Sequence, residues 1–493
     1  MFGSFKKLFY ASAALILLPI AAQAQDNCGG LVSNGTLGTF TVNYYSNFTV
    51  LTINGVNNNI NSENYVLYCG TEAPQDFALA TVGLSASTGV FRAPLLQVAA
   101  DDTYTSTYIE ISGHRDSINF LESPQNIVSP CLQQRYANQS LFAFNNSLTE
   151  WSLINAGFLS VMNTAQQKSV WIPSSVDVDP LQRAEYIIAV AMFYNDGVNG
   201  QSLYNQIKAA YTNLQNDMNQ IPQANRNRIA WVYYDFTLST WKLRNSAFTK
   251  GIIAAAGGIS FPLTGEVPDY ATLSSDDIKT ILLNSQVVID QTDFTGQPTS
   301  VKTIDAWRVR AGFESSSDLP VLQSKKVYTL DGTTNSNGVS DYNYRVAPRP
   351  DILLKDLIYV QYPSYNSTYS TVFLNTDFAT GGDGRGVVLT ASNCGTTKYD
   401  SGDIPVIVPQ PSFTGNPTPP AALVGTGVYG GDGTNSGSSS RGSSKVSIVV
   451  PVVCVVVILG AAFAFVSFKW GKRAKEDRFI ELEEEMNNEI PLH

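Results

Sequence analysis

Histidine is almost absent: the chain has two in 493 residues, His114 and the C-terminal His493. A His-rich zinc or manganese site is thereby excluded, and a Ser-His-Asp or Cys-His arrangement would have to use His114. That residue lies in "SGHRD", a turn after a helix, where a structural or solvated role is expected. Charge is scarce as well. Only 15% of residues are charged and the net charge is −10, which excludes nucleic acid or an anionic lipid surface as the folded part's partner. Nucleotide fingerprints are missing too, because "GGDGRG" from Gly381 opens no strand–helix unit and reads as a loop. The acid pairs Asp101–Asp102 and Asp276–Asp277 fit turns and helix starts better than a glycosidase dyad. The sequence therefore predicts a protein that is not an enzyme and carries no cofactor or metal.

Long apolar runs occur only at the two ends. Residues 1–24 read as a signal peptide: Lys6 and Lys7, then "LFYASAALILLPIAA", then "AQA" before Gln25. Residues 446–468 carry no charge, enough to cross a bilayer as a helix, and Lys469, Lys472, Arg473 and Lys475 follow at once. A type I single-pass protein is expected, in the plasma membrane or an endomembrane. Its acidic tail, 469–493, would be cytoplasmic and suited to a transporter or endocytic adaptor. Residues 396–445, rich in Pro, Gly and Ser, read as a stalk.

Five cysteines are present, of which Cys454 falls in the span. Cys28, Cys69, Cys131 and Cys394 would then form two disulfides by one of three pairings. Sequons at Asn34, Asn47, Asn138, Asn145 and Asn366 fit a glycosylated exoplasmic surface.

Within the exoplasmic part, residues 25–63 alternate weakly and read as β-hairpins, an N-terminal embellishment. Short strand and helix signals mix over 64–178 and become clear in the centre. "DPLQRAEYIIAVAMFYNDG" has Asp179 as N-cap and Pro180 at the first helical position. "QSLYNQIKAAYTNLQNDMNQI" spaces its apolar residues three and four apart. Next come a strand, "RIAWVYYDF", a helix read from "STWKLRNSAFTKGIIAAAGG", a helix "SSDDIKTILLNS", a strand "QVVIDQ", a strand "KKVYTLD" and a helix opened by Pro350. Strands alternating with helices predict an α/β fold with parallel sheets.

This order, ending in "KKVYTLDG" and "RPDILLKDL" with "YIEISGHRDSINFL" in the first half, resembles class III periplasmic binding proteins, the bacterial binders of cobalamin, siderophores and haem. Together with the stalk and span it is similar to the membrane-anchored cobalamin acquisition family of diatoms and other microalgae. The resemblance covers roughly residues 64–363. It implies two lobes, 64–178 and 201–395, a single connecting helix at 179–200, and a ligand in the cleft between them. The implied ligand is cobalamin or a related corrinoid, taken up into the cell; an iron–siderophore or haem is the alternative, as is a ligand-free adhesion or signalling receptor on the same fold.

Flat apolar side chains grip a planar macrocycle best, so aromatics at strand ends are the candidates. The C-terminal lobe offers Tyr234, Phe236 and Trp241, then Asp293 and Phe294, and Trp307 in a loop beyond. The N-terminal lobe offers Glu72 after a strand, Tyr104, and Trp171 in "VWIP".

Overall fold

A computed structural model describes residues 28–55, 62–85, 87–163, 166–174, 177–262, 270–381 and 386–395. The expected signal peptide, stalk, membrane span and tail lie outside the described residues. Among the described residues no helix is long and apolar enough to cross a membrane.

The chain opens with β1 (Phe40–Tyr44), β2 (Thr49–Ile53) and β3 (Glu63–Tyr68) as an antiparallel meander; a short helix α1 (Asp76–Thr81) leads to β4 (Gly89–Arg92), parallel to β3. The boundary expected at residue 63 thus falls inside a strand. The hairpins are not an appendage but half of one sheet.

A second, all-parallel sheet follows, from β5 (Val98–Ala100), α2 (Thr103–Ile111), β6 (Ile118–Leu121), α3 (Pro130–Ala137), β7 (Phe142–Ala143), α4 (Leu148–Leu153), β8 (Ala156–Leu159) and β9 (Ser169–Trp171). Its strand order is β7-β6-β5-β8-β9. β5 and β8 are buried throughout, as central parallel strands covered on both faces must be.

The connection differs from a single helix. α5 (Pro180–Met192) has Asp179 as N-cap in a capping box with Gln182, and it runs back into the first core. The chain turns at Asn195, whose φ is +57°, and α6 (Gly197–Asn219) returns. α6 is the spanning element. At 23 residues it is roughly 34 Å long, placing Leu203, Tyr204 and Ile207 in the first core and Tyr211, Leu214 and Met218 in the second. Gly200 is forced by this packing, because a Cβ there would meet the Ala191 Cβ at 2.5 Å.

The second lobe holds β10 (Arg228–Asp235), β11 (Thr240–Arg244), α7 (Ala247–Ala255), β12 (Ile259–Ser260), β13 (Tyr270–Leu273), α8 (Ser275–Leu283) and β14 (Val287–Asp290). After these come α9 (Ile304–Arg310), α10 (Pro320–Gln323), β15 (Val327–Thr329), β16 (Thr333–Asn335), α11 (Tyr342–Arg345), α12 (Pro350–Gln361) and β17 (Val387–Leu389). The order is β13-β11-β10-β14-β15, parallel from β10 to β15 and antiparallel at β11 and β13. "STWKLR" is therefore a strand, not the start of a helix. Its alternation sends Trp241 and Leu243 into the core, and the helix starts only after Ser246, whose hydroxyl accepts from the Thr249 N–H. α12 begins at Pro350, and Arg349 grips Asp351 with two bonds of 2.8 Å. Burial acts upward on the Asp351 carboxyl, yet the Arg349 guanidinium holds it below the usual range.

Four devices join the lobes. Glu110 on α2 is buried and receives the Tyr344 hydroxyl (2.5 Å) of α11, the Ser129 hydroxyl (2.5 Å) and the Arg115 guanidinium (2.6 Å). Thr107 donates to the Tyr344 carbonyl at 2.7 Å. Asn335 of β16 donates to the Ile127 carbonyl at 3.0 Å. Disulfides pair Cys28 with Cys69 and Cys131 with Cys394, and the second closes a 263-residue separation that carries the chain's end back onto α3. Cys131→Ser/Cys394→Ser should lower the denaturant midpoint, with a stability loss of up to about 5 kcal/mol, and leave the far-ultraviolet circular dichroism of the folded chain unchanged.

Candidate functional site

Parallel strands collect side chains at their carboxyl ends, and here β10 and β14 end side by side. β10 delivers Tyr233, Tyr234, Asp235 and Phe236; β14 leads to Gln291 and Asp293; Arg244 comes from the antiparallel neighbour β11. Together with Thr237, Thr295 and Gln297 these line an open cleft of about 500 Å³, whose wall comes from the second lobe alone and not, as expected, from both lobes. This is within the usual size of a small-molecule site.

The six candidates from this lobe do converge, but not all on the cleft. Tyr234 meets Phe236 edge-on at 5.2 Å and Trp241 at 5.3 Å; Phe236 meets Phe294 at 6.0 Å; Trp241 meets Trp307 at 5.8 Å. Tyr234, Phe236 and Asp293 line the cleft. Trp241 and Trp307 are buried core residues, and Trp307 lies on helix α9 rather than in a loop. Trp241 donates its indole N–H to the Arg310 carbonyl at 3.0 Å. Both indoles fill the layer beneath the cleft, so a ligand cannot stack on them.

Arg310 was not legible as part of this group. Its guanidinium carbon lies 5.6 Å from the Tyr234 ring, 5.5 Å from Phe236 and 5.8 Å from Phe294. The aromatic faces expected to hold a macrocycle are thus turned on a cation of the protein itself. Behind it Asp290 is fully buried, with Oδ1 accepting the Thr292 hydroxyl (2.5 Å) and amide (2.9 Å). Burial raises the Asp290 carboxyl to about 6, against the opposing pull of Thr292 and of the Arg310 charge. Burial likewise lowers Arg310, opposed by Asp290.

In the other lobe Glu72 is exposed in the turn after β3. Trp171 is buried in the first core, with its indole N–H on the Ser160 carbonyl at 3.2 Å. One edge of Trp171 borders a separate, polar cavity of about 250 Å³ walled by Tyr65, Asn64, Thr88 and Gln167. Tyr104, at the start of α2, is packed against both cores and so stands at the junction of the lobes. Burial raises its phenol; Arg183 and Arg244 oppose the shift, which puts Arg244 within electrostatic reach of the N-terminal lobe.

His114 lines neither cavity. Its ring stacks on Tyr194 at 4.1 Å and its Nε2 lies 3.2 Å from Asp196 Oδ2, a packing role at the turn before α6. Burial lowers its pKa despite Asp196. Among the described residues no group of three or more His, Cys, Asp or Glu could hold a metal ion. Asn34, Asn47, Asn138 and Asn145 are exposed and Asn366 is half-buried.

No protein-family model matches the chain, and no curated protein matches it. Among solved structures the chain is similar to a periplasmic binding protein from Veillonella parvula (12% identity over 54% of this chain and 91% of that one, TM-score 0.40). It is similar also to the periplasmic vitamin B12 binding protein of Vibrio cholerae (12% identity, 54% and 96%, TM-score 0.37). A third is the periplasmic heme binding protein of Vibrio cholerae (15% identity, 52% and 98%, TM-score 0.39).

Asp101, at the carboxyl end of β5, has its carboxyl raised to about 7 by burial and by the neighbouring Asp102, although Ser160 donates to it from N–H (2.8 Å) and hydroxyl (2.9 Å). A carboxyl raised on folding binds protons that the unfolded chain releases, so its stabilising share is complete below about pH 4 and is lost as pH rises through about 7. Asp101→Asn should therefore raise the melting temperature at pH 8 and lose that advantage at pH 4, as read by calorimetry at both pH values.

Proposed function

We propose that the chain is a solute-binding receptor whose folded part stands on the exoplasmic side of a membrane, held by the span at 446–468, and that its ligand is cobalamin or a related corrinoid destined for uptake. The observation that carries the solute-binding reading is the open cleft of about 500 Å³ at the carboxyl ends of β10 and β14, where aromatic edges from Tyr233, Tyr234 and Phe236 stand beside amide groups from Gln291 and Gln297. The wall is more polar than apolar, with Phe236 and the two tyrosine rings as its flat surfaces, and side-chain amides suit the amide-rich rim of a corrin. Binding would need no catalytic group, in keeping with the position of His114 outside both cavities.

Haem or a ferric siderophore is the alternative ligand for the same cleft, favoured by the cation Arg244 in its wall. The membrane anchor, the N-glycans at the five sequons and a transporter or adaptor contact through the tail belong to the same proposal and rest on the sequence patterns at those positions.

Calorimetric titration of the detergent-solubilised full chain with cyanocobalamin, haem and a panel of ferric siderophores tests this. One-to-one saturable binding of cyanocobalamin is expected, weakened about tenfold by Phe236→Ala at the cleft wall. Selective binding of haem or a siderophore would replace the ligand and keep the site. Lack of binding by every probe would overturn the solute-binding reading.

A further inference from the structure

Arg244 is the one cation of the cleft wall, and no ion pair holds it among the described residues. It lines the cleft, its guanidinium carbon lies 5.6 Å from the Tyr233 ring, and it donates only from Nε, to Gln291 Oε1 at 3.2 Å. The wall also holds two acids, Asp235 and Asp293. Lys242, two residues earlier on the same strand face, is 2.8 Å from Asp235 Oδ2. Asp293 stands exposed at the rim with Oδ1 accepting the Thr295 N–H at 2.8 Å. Gln291 also accepts the Trp231 indole N–H at 2.9 Å, so Arg244 is held by an amide that is itself anchored in the core. A guanidinium fixed at Nε leaves its two terminal nitrogens as a fork, the geometry that carboxylates and phosphates match.

We propose that Arg244 is an anion anchor. Resting on the solute-binding reading, the cleft takes a ligand that carries an oxyanion, a carboxylate or a phosphate ester, and sets that group on the Arg244 fork. Cyanocobalamin has one phosphodiester on its nucleotide arm and haem has two carboxylates, so the anchor sorts candidate ligands by which part enters the cleft.

The test uses the full chain in detergent. Melting temperature is followed in pyrophosphate and in citrate against sodium chloride at equal ionic strength, for wild type, Arg244→Gln, Arg244→Lys and, as a control, the exposed Lys250→Gln. Wild type and Lys250→Gln are expected to gain about 2 °C or more in at least one of the two anions; Arg244→Gln should gain nothing and Arg244→Lys an intermediate amount. A larger gain in citrate marks the carboxylate source, and a larger gain in pyrophosphate marks the phosphate source. An equal gain in Arg244→Gln, or none in wild type, would overturn the anchor whatever the ligand proves to be. A second arm compares cyanocobalamin with cobinamide, which lacks the phosphodiester, and haem with its dimethyl ester. Loss of about tenfold or more in affinity on Arg244→Gln for the member of a pair that carries the oxyanion, and none for the member that lacks it, supports the anchor. Undiminished binding of the oxyanion-bearing member would overturn it while leaving the solute-binding reading intact.

Discussion

A carboxylate cannot be buried without partners, and Glu110 is buried where three elements meet. Ser129 and Arg115 come from the N-terminal lobe, and Tyr344 comes from α11, which follows the second sheet. Taking such an ion out of water costs several kcal/mol, so each partner is required to stay, and the lobes stay with them. α11 extends the constraint. Tyr344 and Ala347 pack into the first core, while Tyr342 and Val346 pack into the second, where Tyr342 meets Trp231 and Phe373. With α6 crossing between the cores and the Cys131–Cys394 bond tying the chain's end to α3, hinge opening would have to break a buried polar network, a helix–helix core and a covalent bond together.

A frame of this kind leaves recognition to a cleft that exists before the ligand arrives, and it lowers the ordering cost of binding. The cleft floor is stiff for the same reason. Trp241 and Trp307 fill the layer below, and Arg310 closes the aromatic cluster from within. Asp290 and Asp356, raised to about 6 by burial, and Asp101, raised to about 7, all hold protons more firmly folded than unfolded, so their share of stability is complete below about pH 4 and is lost as pH rises through these values. His114, lowered by burial, works in the other direction, its share being lost as pH falls below about 6.5.

Local rules were legible and long-range ones were not. Asp179 with Pro180, Ser274 with Asp277, and Pro350 announce helix starts through side-chain caps and a missing N–H, and each begins a helix. "STWKLR" misled because no Pro or Gly separates it from the helix that follows, although Trp241 and Leu243, two apart, have the spacing of the strand that pairs with β10. Strand-end placement found Tyr234, Phe236 and Asp293, since the end of a parallel strand is a local feature. It could not separate them from Trp241, Trp171 and Trp307, whose burial depends on what packs above them. Arg244 and Arg310 gave no signal: one arginine among many becomes distinctive only when its neighbours are seen. Disulfide pairing lay beyond the sequence for the same reason.

The two lobes form one fixed frame, and the cleft at the end of the second lobe's sheet is part of that frame before any ligand arrives. Pulsed electron paramagnetic resonance between spin labels at Gln134 on α3 and Asp276 on α8, both exposed, measures it directly in the full chain with and without saturating cyanocobalamin or haem. A single narrow distance distribution, unchanged by ligand, is predicted. A broad distribution in the free chain, or one that shifts by several ångströms when ligand is added, would contradict it.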